Sequence, residues 1–311
     1  VILSIICIGE LLIDFISQNI GNSLATSHIF LKKAGGAPAN VAAVISRLGG
    51  KGLFCGKVGQ DAFGVFLEQT LLEHNVDCSL LVKDSNVPTT LAFVSLEENG
   101  ERDFSFVRGA DKNLEISDIN ILKVDEADIL HFGSATGFLD GALKDTYFTL
   151  LNYGIDNKKI ISFDPNYRSA FWKNNKENFV KYSMDFIKHA DILKISEEEL
   201  YILTDISDFH SAVKFLHKMG AKLITVTLGK NGTFVSNGIE SETIPSIKVN
   251  SIDSTGAGDA FIGAFLYYLS ENNLNLSNFD NIKNYIAKAN IVAAKVCTKM
   301  GAMEALSAIN E

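Results

Sequence analysis

Three short apolar runs in the middle and second half of the chain decide the predicted fold: KIISF at Lys159–Phe163, DILKI at Asp191–Ile195 and KLITVTL at Lys222–Leu228. Each run is rich in Ile, Leu or Val without strict alternation, which is typical of strands buried on both faces. Helix-like stretches separate or follow them, at Lys176–His189, Glu197–Leu203 and Phe209–Met219. This alternation predicts right-handed βαβ units on a parallel sheet.

The same alternation extends toward the N-terminus. Val1–Ile8 precedes the helix-like Pro38–Leu48, and Ala127–Phe132 precedes Gly141–Leu151. A length of 311 residues fits either two domains or one large α/β domain, and no Ser/Gly/Pro-rich linker divides the chain. We therefore predict a single α/β domain over residues 1–311, built as a doubly wound, mostly parallel sheet sandwiched by helices.

Two segments interrupt this rhythm and predict a small second sheet. The first, residues 13–34, is largely polar. In the second, residues 88–109, strand-like runs at Thr89–Leu96 and Asp103–Arg108 flank a turn at Glu97–Glu101. That turn contains Asn-Gly, a strong hairpin signal. We expect the two segments to form a small antiparallel β-sheet that acts as a lid, or else a β-extension without a catalytic role.

The charge balance excludes two classes of partner. Lys and Arg total 28 against 37 Asp and Glu, a formal net charge of -9. Nucleic acids and anionic membranes both bind basic surfaces, so we expect neither. No apolar run approaches the roughly 18 residues of a membrane span. The apolar start at Val1–Ile8 lacks the basic flank of a signal peptide, so we interpret it as a buried strand and expect a cytoplasmic protein.

The cysteines and histidines predict neither disulfides nor a metal site. Four cysteines lie far apart, with no C-x-x-C pair, at Cys7, Cys55, Cys78 and Cys297. This usage favours a reducing compartment, and the six histidines show no metal-ligand spacing. The phosphate loop G-x-x-x-x-G-K-[ST] and the glycine fingerprint of dinucleotide-binding oxidoreductases are both missing from the sequence, which disfavours those classes.

Two glycine-rich helix entries at opposite ends of the chain carry the predicted chemistry. One is Asp253-Ser254-Thr255-Gly256-Ala257-Gly258-Asp259, and the other is Gly35-Gly36-Ala37-Pro38-Ala39-Asn40. Glycines let backbone N–H groups approach a ligand, and a helix N-terminus adds partial positive charge, so the first entry predicts an anion site. Taken alone, Asp259 is more often a helix cap than a functional acid.

At these residues the chain resembles the ribokinase-like, or PfkB, family of carbohydrate kinases, and the resemblance covers nearly the whole chain. Gly35–Asn40 is similar to the N-terminal motif of the family, and Asp253–Asp259 to its C-terminal motif. The resemblance implies ATP-dependent phosphorylation of a sugar-like hydroxyl group on an α/β sandwich with a β-sheet lid. It also implies that Asp259 is the general base and that the amides of Gly256, Ala257 and Gly258 form an anion hole.

The resemblance further implies a set of sugar contacts: Asp14, Gly35, Gly36, Asn40, Phe106 and Arg108. Asp and Asn suit a polyol because their oxygens accept hydrogen bonds from hydroxyl groups. The element Asp164–Arg168 is similar to that of fructokinases and 2-keto-3-deoxygluconate kinases, where Arg168 would bind substrate or the transferred phosphate. The alternatives are lid packing for Phe106, an edge-strand charge for Arg108 and a carboxylate partner for Arg168.

For the nucleotide, the resemblance implies contacts at Lys194, Ser196, Thr227, Gly229, Gly232 and Asn290. Ser196 stands where the family usually has Asn, as in fructokinase-like members. Glu199 would act on Mg²⁺ through water, although three glutamates at a helix start also suit the helix dipole. A monovalent cation, K⁺, is implied at Asp253, Thr255 and Gly301.

Together these features predict a fructokinase that uses ATP, Mg²⁺ and K⁺ to convert D-fructose into fructose 6-phosphate. One alternative is a 2-keto-3-deoxygluconate kinase, for which Arg108 and Arg168 would supply fixed cations. Another is a non-catalytic, fructokinase-like binding protein, which the intact Asp259 disfavours. Phe104 and Phe106 on an exposed lid sheet would favour pairing of subunits, so we expect a homodimer formed through the lid.

Overall fold

The computed structural model describes residues 3–19, 21–96 and 102–310. The predicted turn at Glu97–Glu101 lies outside these residues, as does the start of the first predicted strand. The strands of the described part are β1 (Ser4–Ile8), β2 (Leu12–Ser17), β3 (Phe30–Gly35), β4 (Lys51–Gly59), β5 (Asp77–Asp84), β6 (Leu91–Leu96), β7 (Arg102–Val107), β8 (Ile129–Phe132), β9 (Ile160–Phe163), β10 (Ile192–Ser196), β11 (Leu223–Thr227), β12 (Thr233–Ser236) and β13 (Ser241–Ile244). The helices are α1 (Ala37–Arg47), α2 (Ala62–Glu73), α3 (Ile121–Asp125), α4 (Ala142–Asp156), α5 (Ser169–Trp172), α6 (Lys176–Ile187), α7 (Glu197–Thr204), α8 (Phe209–Met219), α9 (Ala257–Glu271) and α10 (Phe279–Val296).

Nine strands form the main sheet, in the order β13-β12-β11-β10-β9-β8-β1-β4-β5. The strands from β11 to β5 in this order pair in parallel, whereas β12 and β13 are antiparallel at one edge. The predicted doubly wound, mostly parallel sheet is therefore confirmed. The strand order reverses between β1 and β8, and open α/β sheets bind ligands beyond the carboxyl ends of the strands at such a point.

Helices cover both faces of the main sheet, because its inner strands present apolar side chains on both sides. All five residues of β1, for example, are buried. One face packs against α1, α2, α9 and α10, and the other against α4, α6, α7 and α8. Helices α1 and α9 pack directly on each other, and Gly263 allows this because a Cβ there would lie 2.9 Å from the Cβ of Val44. No helix in the described part of the chain has both the length and the apolar character to cross a membrane.

The small sheet has four strands in the order β3-β2-β6-β7. Strands β2 and β3 are antiparallel, as are β6 and β7, but β2 and β6 are parallel. The prediction of an entirely antiparallel sheet is therefore wrong at this one pairing. Between β3 and β6 the chain returns to the main sheet, and such a long crossover is what parallel pairing requires. One face of the small sheet packs on α2, where Lys32 Nζ lies 3.6 Å from the ring centre of Phe66.

Candidate active site

The two glycine-rich turns meet at the carboxyl edge of the main sheet. Asn40 on α1 donates a hydrogen bond from Nδ2 to Oδ2 of Asp259 on α9, at 2.8 Å, although 219 positions separate the two residues. Gly36 and Gly256 cap the two helices with φ values of 113° and 76°, which favour glycine. The first N–H groups of a helix lack intrahelical partners, so both turns offer donors to the space beside this contact.

Asn40 and Asp259 each keep an acceptor in this space. The buried Oδ1 atom of Asn40 has no hydrogen-bond partner in the described part of the chain. Burial raises the pKa of Asp259 above its ordinary value of 3.8, while the hydrogen bond from Asn40 and the charges of Lys194 and Arg168 lower it. A buried carboxylate with a raised pKa that lies among cations and hydrogen-bond donors is suited to act as a proton acceptor.

Asp14 on β2 faces the same region from the small sheet. A Cβ at Gly35 would collide with the Asp14 carboxylate, so glycine allows the side chain to lie against the β3 backbone. Burial raises the pKa of Asp14 to about 6, with the charge of Arg168 lowering it and that of Glu304 raising it. The positive charge of Arg168 therefore lowers the pKa of both carboxyl groups, Asp14 and Asp259.

Arg168 itself is exposed at the start of α5. Within residues 3–19, 21–96 and 102–310 its guanidinium makes a single hydrogen bond, a long one of 3.4 Å from Nη1 to the carbonyl oxygen of Tyr167. The alternative prediction, an ion pair with a neighbouring carboxylate, is not seen among those residues. The guanidinium is therefore available to a ligand.

Glu199 and Ser196 form a capping box at the start of α7. Ser196 Oγ accepts a hydrogen bond from the Glu199 amide at 3.2 Å, and Glu199 Oε2 accepts one from the Ser196 amide at 2.7 Å. Glu199 Oε1 accepts another from the amide of Tyr167 at 2.7 Å. Each oxygen keeps a second lone pair, so the carboxylate fits a magnesium ion held through water. No cluster of three or more acidic, His or Cys side chains in the described ranges would cage a metal.

The other predicted nucleotide contacts gather around the turn between β11 and β12. Thr227 ends β11, and Gly229 lies in open space, with no atom within 4 Å of a Cβ built there. Asn290 on α10 accepts a hydrogen bond from the Thr233 hydroxyl at 2.7 Å and donates one to the carbonyl of Ile244 at 3.0 Å. Its side chain therefore connects α10 to β12 and β13, close to Gly232, where a Cβ would collide with the same Ile244 carbonyl oxygen.

Hydrogen bonds also connect the three residues that are predicted to bind a monovalent cation. Asp253 Oδ1 accepts hydrogen bonds from the amide and the hydroxyl of Thr255, at 2.9 and 2.7 Å. Asp253 Oδ2 accepts one from the amide of Gly301 at 2.9 Å. The carboxylate and nearby carbonyl oxygens are hard donors that fit an alkali cation. This loop leads directly into α9.

The residues predicted on the second strand pair contact the main body. Phe106 on β7 packs against Phe171 of α5, with ring centres 4.7 Å apart. Arg108 donates to Asp111 Oδ2 at 3.1 Å and to the carbonyls of Asp140 and Thr136 at 2.6 and 3.1 Å. The guanidinium of Arg108 therefore anchors the end of β7, with protein acceptors on all three nitrogens.

Two buried carboxylates beside the site were not predicted from the sequence. Glu10, just after β1, accepts a hydrogen bond from the amide of Ala37 at 3.1 Å and contacts the Ser134 hydroxyl. Burial raises the pKa of Glu10 to about 7. Asp111 accepts from Arg108 and from two threonine hydroxyls. An acid directly after a buried strand is the sequence signal that would have found Glu10.

The fold and this site together define a class of α/β protein in which helix N-termini suited to an anion lie beside a buried carboxylate. Comparison with known proteins narrows the class. The model of the pfkB family of carbohydrate kinases matches residues 3–309. The chain belongs to this family, and its members are phosphotransferases that act on a sugar hydroxyl group.

Relatives and solved structures agree with this membership. Fructokinase-1 of Zea mays is 37% identical over 305 residues, which are 97% of this chain and 94% of the relative. A fructokinase from Xylella fastidiosa with bound ATP superposes with a TM-score of 0.89 at 31% identity, covering 100% of this chain and 98% of the other. A double mutant of the fructokinase from Vibrio cholerae O395, in a form with fructose, ADP and potassium ion, gives a TM-score of 0.85 at 33% identity, covering 98% and 95%.

Proposed function

We propose that this kinase transfers the terminal phosphate of ATP to D-fructose, giving fructose 6-phosphate and ADP. The observation that carries the proposal is the 2.8 Å hydrogen bond between Asn40 and Asp259, which unites a polyol-binding turn with an anion-binding helix start. Fructokinase relatives at 35–37% identity over 97–99% of the chain support fructose as the acceptor.

In this proposal the sugar binds between the small sheet and α1. Asp14 accepts hydrogen bonds from sugar hydroxyl groups, and the unpartnered Oδ1 atom of Asn40 accepts another. Gly35 and Gly36 leave room for the sugar to approach the backbone. Arg168 adds a cation at the opposite side of the same space, where it holds substrate or phosphate oxygens.

Asp259 takes the proton of the attacking hydroxyl group. The hydroxyl oxygen then bonds to the terminal phosphorus of ATP, and the bond from that phosphorus to the bridging oxygen breaks to release ADP. The amides of Gly256, Ala257 and Gly258, at the N-terminus of α9, stabilise the charge on the phosphoryl oxygens. Donors that are already in position need no reorganisation when charge develops on those oxygens.

The nucleotide lies in this proposal along the carboxyl ends of β10 and β11, with contacts at Lys194, Ser196, Thr227, Gly229 and Gly232, and with Asn290 holding the adjoining strands. When bound, magnesium neutralises charge on the phosphates. Glu199 would hold it through water, as its buried position at the start of α7 allows. Potassium at Asp253, Thr255 and Gly301 would order the loop before α9, and the relative solved in a potassium-bound form supports potassium as the kind of ion.

Arg168 supports a second candidate, a 2-keto-3-deoxygluconate kinase. Its guanidinium pairs with no carboxylate among the described residues, so it would bind a substrate carboxylate. Arg108 is a weaker candidate for such a contact, because protein acceptors already occupy its nitrogens.

A substrate panel tests the proposal. ADP release is measured with D-fructose, 2-keto-3-deoxygluconate, ribose and adenosine at saturating ATP and magnesium. We expect kcat/KM for D-fructose to exceed the others at least tenfold. A tenfold preference for the keto acid would establish the second candidate instead. Binding of ATP without ADP release on any of these acceptors would contradict the catalytic proposal.

We also propose that residues 13–34 and 88–109 act as a lid and that two copies pair through it. Apolar side chains at the edge strands support pairing: Leu31 on β3 is 42% exposed and Val107 on β7 is 52% exposed. Light scattering on the purified chain should then give a dimer mass, and Leu31→Glu should shift it toward the monomer. A monomer mass at all accessible concentrations would contradict the pairing.

The proposed location is the reducing environment of the cytoplasm. All four cysteines belong to the described residues and are free thiols, and Cys7 and Cys55 are buried. Burial raises the pKa of Cys55 to about 12, so this thiol stays protonated and unreactive.

A further inference from the structure

A buried ion pair lies directly behind the proposed anion hole. Lys194, near the end of β10, donates a hydrogen bond from Nζ to Oδ2 of Asp164 at 2.8 Å. Strand register explains the contact. Phe163 pairs with Leu193, so the residues that follow them, Asp164 and Lys194, lie side by side. Side-chain exposure is 10% for Lys194 and 2% for Asp164, so water screens the pair little.

The ammonium group also touches the start of α9. A Cβ built on Gly258 would lie 2.9 Å from Lys194 Nζ, which means that glycine at this position leaves the space that the ammonium occupies. Only one of the three N–H bonds of Lys194 has an acceptor in the described part of the chain. The other two are available to oxygens of a phosphoryl group held by the amides of the same turn.

Lysine by itself is a poor device for holding a charge in place. Its four-carbon stem is flexible, and its ammonium group lacks the planar, directional donors of an arginine side chain. Asp164 is itself held, because its Oδ1 accepts a hydrogen bond from the amide of Asn166 at 3.1 Å. A rigid carboxylate behind the ammonium would therefore fix its position before the nucleotide arrives.

We propose that Asp164 is a positioning residue that acts through Lys194 to hold its ammonium against the terminal phosphate of the nucleotide. This inference rests on the proposed kinase function and adds a residue to it. In this proposal Asp164 touches neither substrate. Its removal should therefore lower the affinity for ATP more than the affinity for ADP, and it should leave sugar binding nearly unchanged.

The central experiment compares two nucleotides by calorimetry, using the non-hydrolysable analogue AMP-PNP and ADP. For Asp164→Asn we expect AMP-PNP affinity to fall about tenfold and ADP affinity less than threefold. In turnover assays with D-fructose, kcat should fall about tenfold while KM for fructose changes less than twofold. Equal losses of affinity for the two nucleotides would overturn the proposal.

The chain contains a control at the opposite end of β10, where Asp191 and Lys222 precede β10 and β11. Lys222 donates to Asp191 at 2.7 Å, and the Asp191 side chain is also largely buried. Asp191→Asn removes a comparable carboxylate far from the turn at Gly258. Because Asp191 also accepts a hydrogen bond from the amide of Ile161 at 2.8 Å, this variant should lower the melting temperature while both nucleotide affinities are retained. If Asp191→Asn also lost more affinity for AMP-PNP than for ADP, the loss in Asp164→Asn would be only a structural effect.

A double-mutant cycle tests whether Asp164 acts through Lys194. Asp164→Asn should add less than twofold to the AMP-PNP loss caused by Lys194→Met, because the ammonium it positions is already gone. Additive losses would contradict the proposed route. If the unaltered chain binds neither nucleotide, the proposed function fails; if it binds both and Asp164→Asn changes nothing, only this inference fails.

Discussion

Asp259 is the residue on which the proposed chemistry depends. It occupies the first turn of α9, where an acid also stabilises the helix dipole, so its presence there has both a structural and a catalytic explanation. The tertiary contact with Asn40 favours the catalytic explanation, because the carboxylate of an ordinary helix cap would face solvent. Burial raises the pKa of Asp259, and the amide donor of Asn40, which is distant only in sequence, holds the carboxylate in position; both features suit a proton acceptor.

Asp259→Asn should keep the fold and ATP binding but lower kcat at least about 100-fold, since a positioned base contributes roughly 10² to 10⁴ in rate. ADP release and ATP calorimetry measure the two effects. Asp280→Asn is the matched control, because Asp280 is an exposed acid in the first turn of α10. Turnover of Asp259→Asn within tenfold of the unaltered chain would remove Asp259 from the mechanism.

The pH dependence follows from the same carboxylate. Asp259 must be ionised to accept a proton, so kcat/KM should fall as the pH drops through its pKa, which burial has raised. Arg168 lowers that pKa, so Arg168→Met should move the acid limb of the pH–rate profile to higher pH, although screening of an exposed charge limits the shift. Lys173→Met, an exposed cation just after α5, is the control. A limb that moves to lower pH, or equally in both variants, would contradict this assignment.

At the scale of elements, α5 and β7 are coupled by aromatic rings. Phe171 of α5 contacts both Phe104 and Phe106 of β7, with ring centres 5.7 and 4.7 Å away. Helix α5 begins just after Arg168, so these ring contacts fix the position of Arg168 relative to the small sheet.

Phe171→Ala should raise KM for the sugar about three- to tenfold, with a smaller change in kcat. An aromatic pair contributes about 0.5–1.5 kcal/mol, and 1.4 kcal/mol corresponds to tenfold in affinity. Initial rates over a range of sugar concentrations measure the effect. Phe209→Ala on α8, which removes a ring packed on Phe234, is the control and should leave KM unchanged. Similar KM values for both variants would show that the contact does not affect sugar binding.

At the scale of the whole molecule, a polar network joins the two sheets. Asp111, which is 1% exposed, accepts hydrogen bonds from Thr90 just before β6, from Arg108 just after β7 and from Thr136 after β8. The Ser134 hydroxyl, close to Thr136, also contacts Glu10. The small sheet is thus attached to the strand-order reversal of the main sheet, where the site lies.

Asp111→Ala should lower the free energy of unfolding by roughly 3–5 kcal/mol, because it leaves the Arg108 guanidinium and two hydroxyl groups without their buried acceptor. Urea denaturation followed by circular dichroism measures the loss. Asp140→Ala is the control, since its exposed carboxylate pairs with Lys144 at the surface, where ion pairs contribute little. Equal midpoints for the two variants would show that the network does not hold the sheets together.

Local patterns in the sequence were sufficient for most elements. The helix expected at Phe209–Met219 has those ends in the structure, because its apolar period is regular and Gly220 follows it. The helix expected at Gly141–Leu151 instead runs to Asp156. It continues through Gly154, where a Cβ would lie 2.8 Å from the Ile161 side chain and 2.9 Å from that of Leu130, so close packing outweighs the low helix propensity of glycine.

The sequence by itself determined the alternation of helices and strands and the two glycine-rich motifs, because periodicity and composition are properties of neighbouring residues. Only the tertiary structure decided that Asn40 meets Asp259, that Asp164 lies behind Lys194 and that β2 pairs in parallel with β6. These contacts join segments 30 to 219 positions apart. They depend on strand order and register, which are set when the whole core packs and which no single segment specifies.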